Sequence, residues 1–141
     1  MRVFFDSSAF AKRYVREEGS ELVLSWCDQA TELCLSGIVL PEIISAFCRL
    51  QRENRITPLQ YRHLKAMLIA DVVDAAVCDL APEVIRHSIN TLESNTLRGM
   101  DAIHIGSALA LNADVFISSD ARQCISAERA GLRVVQVSSN G

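Results

Sequence analysis

Residues 1–15 read MRVFFDSSAFAKRYV, and the change of pattern inside that stretch decides the fold. Arg2–Phe5 is a short β-prone run that stops at Asp6. Ser7 or Ser8 then caps a helix predicted to continue to about residue 15. The alternation returns down the chain. A helix is predicted over 17–30, a strand over 33–36 and a helix over 38–54, the last with Val39, Ile43, Ala46, Phe47 and Leu50 at helical spacing. Thr57 and Pro58 open another helix, as N-cap and first residue, that runs to about residue 73. Then follow a strand over 76–80 and helices over 82–92 and 100–111. The strand Val115–Ser118, a helix over 121–130 closed by Gly131 and a strand over 133–137 complete the pattern. Strands alternating with helices predict an α/β fold, a parallel sheet flanked by helices on both faces. One domain is expected over 1–138, with 139–141 as a loose tail.

In such sheets ligands bind beyond the carboxyl ends of the strands. Asp6 ends the first strand and Asp120 lies two residues past Val115–Ser118, so strand direction alone places both on that edge. Glu42 and Asp101 stand in the first turns of the helices over 38–54 and 100–111. Each acid alone has a structural explanation, because helix N-termini attract negative charge and Asp caps helices. Asp120, directly before Ala121, reads as a cap as readily as a ligand. Four carboxylates at one edge are harder to explain that way. Crowded carboxylates raise one another's pKa and stay ionised when a cation sits among them. A set of oxygen donors without a His or Cys cluster points to Mg²⁺ or Mn²⁺. Such a centre suits phosphodiester cleavage, where metal ions activate a water and stabilise the leaving oxygen. No Gly-rich phosphate loop follows the first strand, and no Ser-His-Asp order or Cys-His pair is evident.

Composition narrows the rest. The chain has 141 residues, half of them hydrophobic, enough for a sizeable core without staples. Five cysteines, with no CxxC pair, read as reduced thiols packed like small hydrophobes. The apolar run before Asp6 is too short for a signal-peptide core, and no apolar stretch reaches spanning length, so a cytoplasmic protein with no membrane contact is expected. A net charge of −3 does not advertise nucleic-acid binding. Twelve of the fourteen basic residues are Arg, which suits phosphate pairing or reflects genomic bias equally well.

At the four acids the sequence resembles the PIN-domain ribonucleases, and among them the VapC-like toxins of toxin–antitoxin pairs. FFDSSAFAKRY carries the family's first Asp as Asp6 and its following Ser as Ser8. LPEIISAFCR carries its Glu as Glu42, LRGMDAIHIGSALA its Asp as Asp101, and ADVFISSD the last acid as Asp120. The resemblance spans nearly the whole chain and implies a three-layer architecture. It implies Mg²⁺-dependent endonucleolytic cleavage of RNA, a small antitoxin partner that blocks the site, and a homodimer. Asp6 and Asp101 would be the core metal ligands, with Glu42 and Asp120 completing the shell directly or through water. Ser8 and Ser118 would support them.

Other residues are weaker candidates. His104, one turn after Asp101, reads as a packed helix residue more readily than as part of the site. Lys12, Arg13, Arg16, Arg49, Arg52, Arg55, Arg98 and Arg122 lie close to the acidic motifs, and Arg98 is the best placed to meet a phosphate. Trp26 and Tyr14 are the aromatics expected to face outward, where an antitoxin could dock. Two other functions compete. A catalytically silent RNA- or partner-binding module would not favour four crowded carboxylates. A phosphatase or receiver-like phosphotransfer domain is the other; receiver-like domains need a late Lys, and none follows Lys65.

Overall fold

The computed structural model describes residues 1–138; the tail at 139–141 lies outside the described residues. In chain order the elements are β1 (Arg2–Phe5), α1 (Ser7–Phe10), a 3₁₀ turn (Ala11–Arg13), α2 (Ser20–Gln29), β2 (Glu32–Ser36), α3 (Val39–Arg52), α4 (Pro58–Asp74) and β3 (Ala76–Cys78). They continue with α5 (Pro82–Ser94), α6 (Gly99–Ala110), β4 (Val115–Ser118), α7 (Ala121–Arg129) and β5 (Val134–Gln136). The strands form one parallel sheet in the order β3-β2-β1-β4-β5. From β1 the chain winds outward through β2 and β3, then returns to the other side through β4 and β5. The strand order therefore reverses between β1 and β4, and a parallel sheet opens its ligand crevice beyond the strand ends at that point.

The alternation of side chains along β1 builds two cores. Val3 and Phe5 point to the side of α1–α4, where they meet Phe10, Val23, Leu35, Ile43, Phe47, Leu68 and Ile117. Phe4 points to the other side, with Cys34, Ile105, Ala108, Phe116 and Ala127. There Phe4 stacks on Phe116 at 5.4 Å between ring centroids. The flanking helix α5 packs closely on α6. A Cβ on Gly106 would lie 2.7 Å from the Val84 carbonyl oxygen and 2.6 Å from Ser88 Oγ, so only glycine allows that approach.

Local differences from the sequence reading have physical causes. Asp6 itself, rather than Ser7 or Ser8, caps the first helix, its carboxylate accepting the Ala9 N–H. That helix does not reach residue 15. Tyr14 packs edge-on against Phe10 and Phe47 and donates its hydroxyl to Asp71 of α4 at 2.6 Å, so tertiary anchors bend the chain into a 3₁₀ turn. The second helix starts at Ser20, not 17, because Gly19 sits at φ +92° against Val137. Thr57 and Gln60 form the reciprocal capping box that opens α4. The third strand stops at Cys78 and the fifth spans only Val134–Gln136. All five cysteines are free and buried or half-buried. Among the described residues no helix is long and apolar enough to cross a membrane.

Candidate active site

The switch point between β1 and β4 gathers the acidic residues. Asp6 leaves β1 fully buried, at 1% exposure. Its Oδ1 accepts Ser8 Oγ at 2.8 Å and the Ala9 N–H at 2.9 Å, and its Oδ2 accepts Ser118 Oγ at 2.6 Å. Three donors occupy most of the lone pairs a carboxylate offers. Burial pushes the Asp6 carboxyl above its ordinary pKa, opposed by His104 and by these hydrogen bonds. The two serines also tie the strand ends together. Ser8 Oγ accepts the Ser119 N–H at 3.2 Å, and Ser118 Oγ accepts the Asp120 N–H at 3.0 Å.

Asp120 does cap α7, with Oδ1 accepting the N–H groups of Arg122 and Gln123 at 2.9 and 3.3 Å. Its Oδ2 takes no hydrogen bond among the described residues, so the capping role leaves half of the carboxylate free. Asp101, in the first turn of α6, is freer still: neither carboxylate oxygen accepts a protein donor among the described residues. Burial and the charges of Asp120, Asp6 and Glu42 push its pKa up against the pull of His104. The charges of the other three acids thus register at Asp101. Among the described residues, however, no three His, Cys, Asp or Glu side chains converge into a ready-made metal cage. The donor chemistry itself fits a hard divalent cation, being all carboxylate oxygen with Asp101 uncommitted.

Glu42, in the first turn of α3, meets two residues. Its Oε1 accepts Ser7 Oγ at 2.6 Å and lies 2.6 Å from His104 Nε2, while Ser7 Oγ and His104 Nε2 are 3.1 Å apart. Burial raises the Glu42 pKa, but the His104 and Ser7 hydrogen bonds outweigh it and hold the carboxyl below its ordinary value. The packing expectation for His104 is thus incomplete. The ring is buried, edge-on to Phe4, yet its Nε2 meets Glu42 and Ser7. Ser, His and Glu in contact resemble a hydrolase triad, but the geometry excludes one. A triad needs the acid on one ring nitrogen and the serine on the other. Here both sit at Nε2, and Nδ1 is buried without a partner. Cys124 is equally unsuited as a nucleophile, since burial and nearby Asp6 push its thiol up to about 11.

Sequence reasoning missed Ser7, and also Gln123. The Gln123 amide is buried and donates to the Asp101 carbonyl at 3.0 Å, joining the start of α7 to the first turn of α6. Its only sequence signal is a polar residue on the apolar face of α7. The basic rim is smaller than expected. Lys12 is buried on Glu17 and Arg13 pairs with Asp71. Arg16 and Arg49 pair with Glu21 and Glu53, and Arg55 also approaches Glu53. Arg98, Arg52 and Arg122 stay exposed. Trp26 does not stand free, for it packs against the core under the Arg133 guanidinium, 5.9 Å from its ring. Tyr14 is half-buried, and its outer side borders an apolar cavity of about 640 Å³ lined also by Val15, Ile56, Leu59 and Leu64.

Known proteins share this fold. Ribonuclease VapC45 of Mycobacterium tuberculosis (strain CDC 1551 / Oshkosh) is 28% identical over 134 residues, covering 94% of this chain and 93% of that protein. The crystal structure of FitAcB from Neisseria gonorrhoeae superposes with a TM-score of 0.70 at 12% identity, over 95% of this chain and 96% of that one. A toxin–antitoxin complex from Klebsiella pneumoniae gives 0.69 at 13% identity, over 96% and 98%. The family model described as PIN domain matches residues 3–128, a span that runs from β1 through α7 and takes in Asp6, Glu42, Asp101 and Asp120. By that match and by its fold, the chain belongs to the PIN domain family.

Proposed function

We propose that this protein is a divalent-cation-dependent endoribonuclease that acts as the toxin of a toxin–antitoxin pair in the cytoplasm. Mg²⁺ is its resident ion, Mn²⁺ is able to replace it, RNA is the substrate, and an antitoxin protein and a second copy of the chain are its partners. The observation that carries the reading is Asp101. It is a half-buried carboxylate with no protein donor among the described residues, its pKa raised by burial and by three neighbouring acids. A fold that only bound RNA would gain nothing from that repulsion, because RNA phosphates add to it. Family membership, a relative named as a ribonuclease and a structural neighbour that is a toxin–antitoxin complex support the same reading.

Asp6 and Asp101 would hold the cation, which would supply charge to the scissile phosphate and a water of lowered pKa. Asp120 and Glu42 would complete the shell directly or through water and orient the attacking water. Ser8 and Ser118 keep the Asp6 carboxylate from turning away. Arg98, exposed at the N-cap of α6, receives a substrate phosphate. Incubation with RNA in Mg²⁺ against EDTA tests the reading, with Asp6→Asn as the control. Cleavage should occur only with the cation and be lost in the variant. Cleavage that persists in EDTA or in Asp6→Asn overturns it.

A further inference from the structure

His104 and Glu42 come from opposite layers of the molecule. Glu42 belongs to α3, packed on the Val3 and Phe5 side of the sheet, and His104 to α6, packed on the Phe4 side. They meet over the carboxyl edge, with Ser7 of α1 between them. Both contacts land on one oxygen. Oε1 receives Ser7 and His104, while Oε2 receives no hydrogen bond among the described residues, in a side chain that is 30% exposed. A carboxylate can only accept, so Nε2 carries the proton in this contact. The ring makes the contact at a cost. Nδ1 is left buried with no partner, and buried polar atoms are rarely left so. A ring placed for packing alone would have no reason to aim its one satisfied nitrogen at the acid. The close approach of α5 at Gly106, two residues on, fixes the height of α6 at which Nε2 reaches.

We propose that His104, assisted by Ser7, is a positioning residue that clamps Glu42 through Oε1 and so presents Oε2 as its working oxygen toward the cation or its bound water. The clamp rests on the divalent-cation reading of the site. It gives Glu42 a role distinct from that of Asp101: one carboxylate is held in a fixed orientation and the other is free to move onto the ion.

Two substitutions separate donation from packing. His104→Phe keeps a ring beside Phe4 and removes the donor, whereas His104→Gln removes the ring and keeps an N–H within reach. Four quantities are measured on each protein: Mn²⁺ affinity by calorimetry, kcat and KM for RNA cleavage, and the temperature of thermal unfolding. The phenylalanine variant is expected to lose about 10–100-fold in Mn²⁺ affinity and kcat, with KM for RNA nearly unchanged. The glutamine variant should recover most of both, even where it melts lower. In the metal-free wild type, imidazole ¹⁵N NMR should show the proton on Nε2. The clamp is overturned if His104→Phe keeps wild-type Mn²⁺ affinity and kcat, if the glutamine variant is no better than the phenylalanine one, or if Nε2 carries no proton. A wild-type protein that neither binds Mn²⁺ nor cuts RNA overturns the underlying reading instead. One that does both, with His104→Phe intact, overturns the clamp alone.

Discussion

The two faces of the sheet are built on different rules. The side covered by α1–α4 is filled with large apolar groups, among them Phe5, Phe10, Phe47, Leu35, Leu68 and Ile43, all buried. The side covered by α5–α7 surrounds Phe4, Ile105 and Phe116 with small residues and buried polar ones: Ser88, His104, Gly106, Ser107, Gln123 and Ser126. The first face derives its stability from area removed from water, which is forgiving of exact position. The second spends burial on directional bonds, which fix where Asp101, Asp120 and Glu42 stand. One layer holds the molecule together, and the other aims it.

Substitutions on the two faces should therefore fail differently. Phe47→Ala leaves a cavity in the apolar layer and should cost about 3–5 kcal/mol in urea unfolding, while the surviving folded protein cuts RNA at the normal rate. Asp101→Asn should do the reverse. Cleavage should fall by roughly 100-fold or more. Without added cation the variant should melt no lower than the wild type, because it relieves a carboxylate that its neighbours disfavour. A clear fall in its melting temperature would show that Asp101 serves the fold instead. Gly106→Ala should cost about 1–3 kcal/mol, since the Val84 carbonyl cannot yield as a side chain tip does. It should also lower kcat, because α6 is pushed away from Glu42. Gln123→Leu is the mildest test. It should cost about 1 kcal/mol for the lost bond to the Asp101 carbonyl and reduce cleavage less than Asp101→Asn. Equal effects on stability and cleavage across all four variants would erase the distinction between the faces.

The apolar layer was the more legible of the two. Val39, Ile43 and Phe47 follow from helical spacing, β4 falls on Val115–Ser118, and the Thr57–Pro58 start of α4 follows from local chemistry. These features depend on neighbours within a few residues. The edge position of Asp6 and Asp120 was also legible, because strand direction fixes it. The Ser7–Glu42–His104 contacts were not, for they join residues 35, 97 and 62 positions apart through choices of rotamer that no local pattern records. Gln123 was hidden in the same way. Lys12 looked like a rim cation because a basic residue on a short helix is usually solvated. In the fold it turns inward onto Glu17.

The strand order carries a consequence for the making of the protein. β1 precedes the other four strands in the described chain and sits at the centre of the sheet, yet one of its two neighbours, β4, is translated more than 100 residues later. The bond from Ser118 to Asp6 spans 112 positions. A nascent chain can pair β1 with β2 and β3 and bury much of its large apolar core while still lacking Ser118, Asp120 and Gln123. Domains begin to organise as they leave the ribosome. A chain interrupted before β4 lacks Ser118, Asp120 and Gln123, so the candidate site can be completed only after the helices between β3 and β4 have been made.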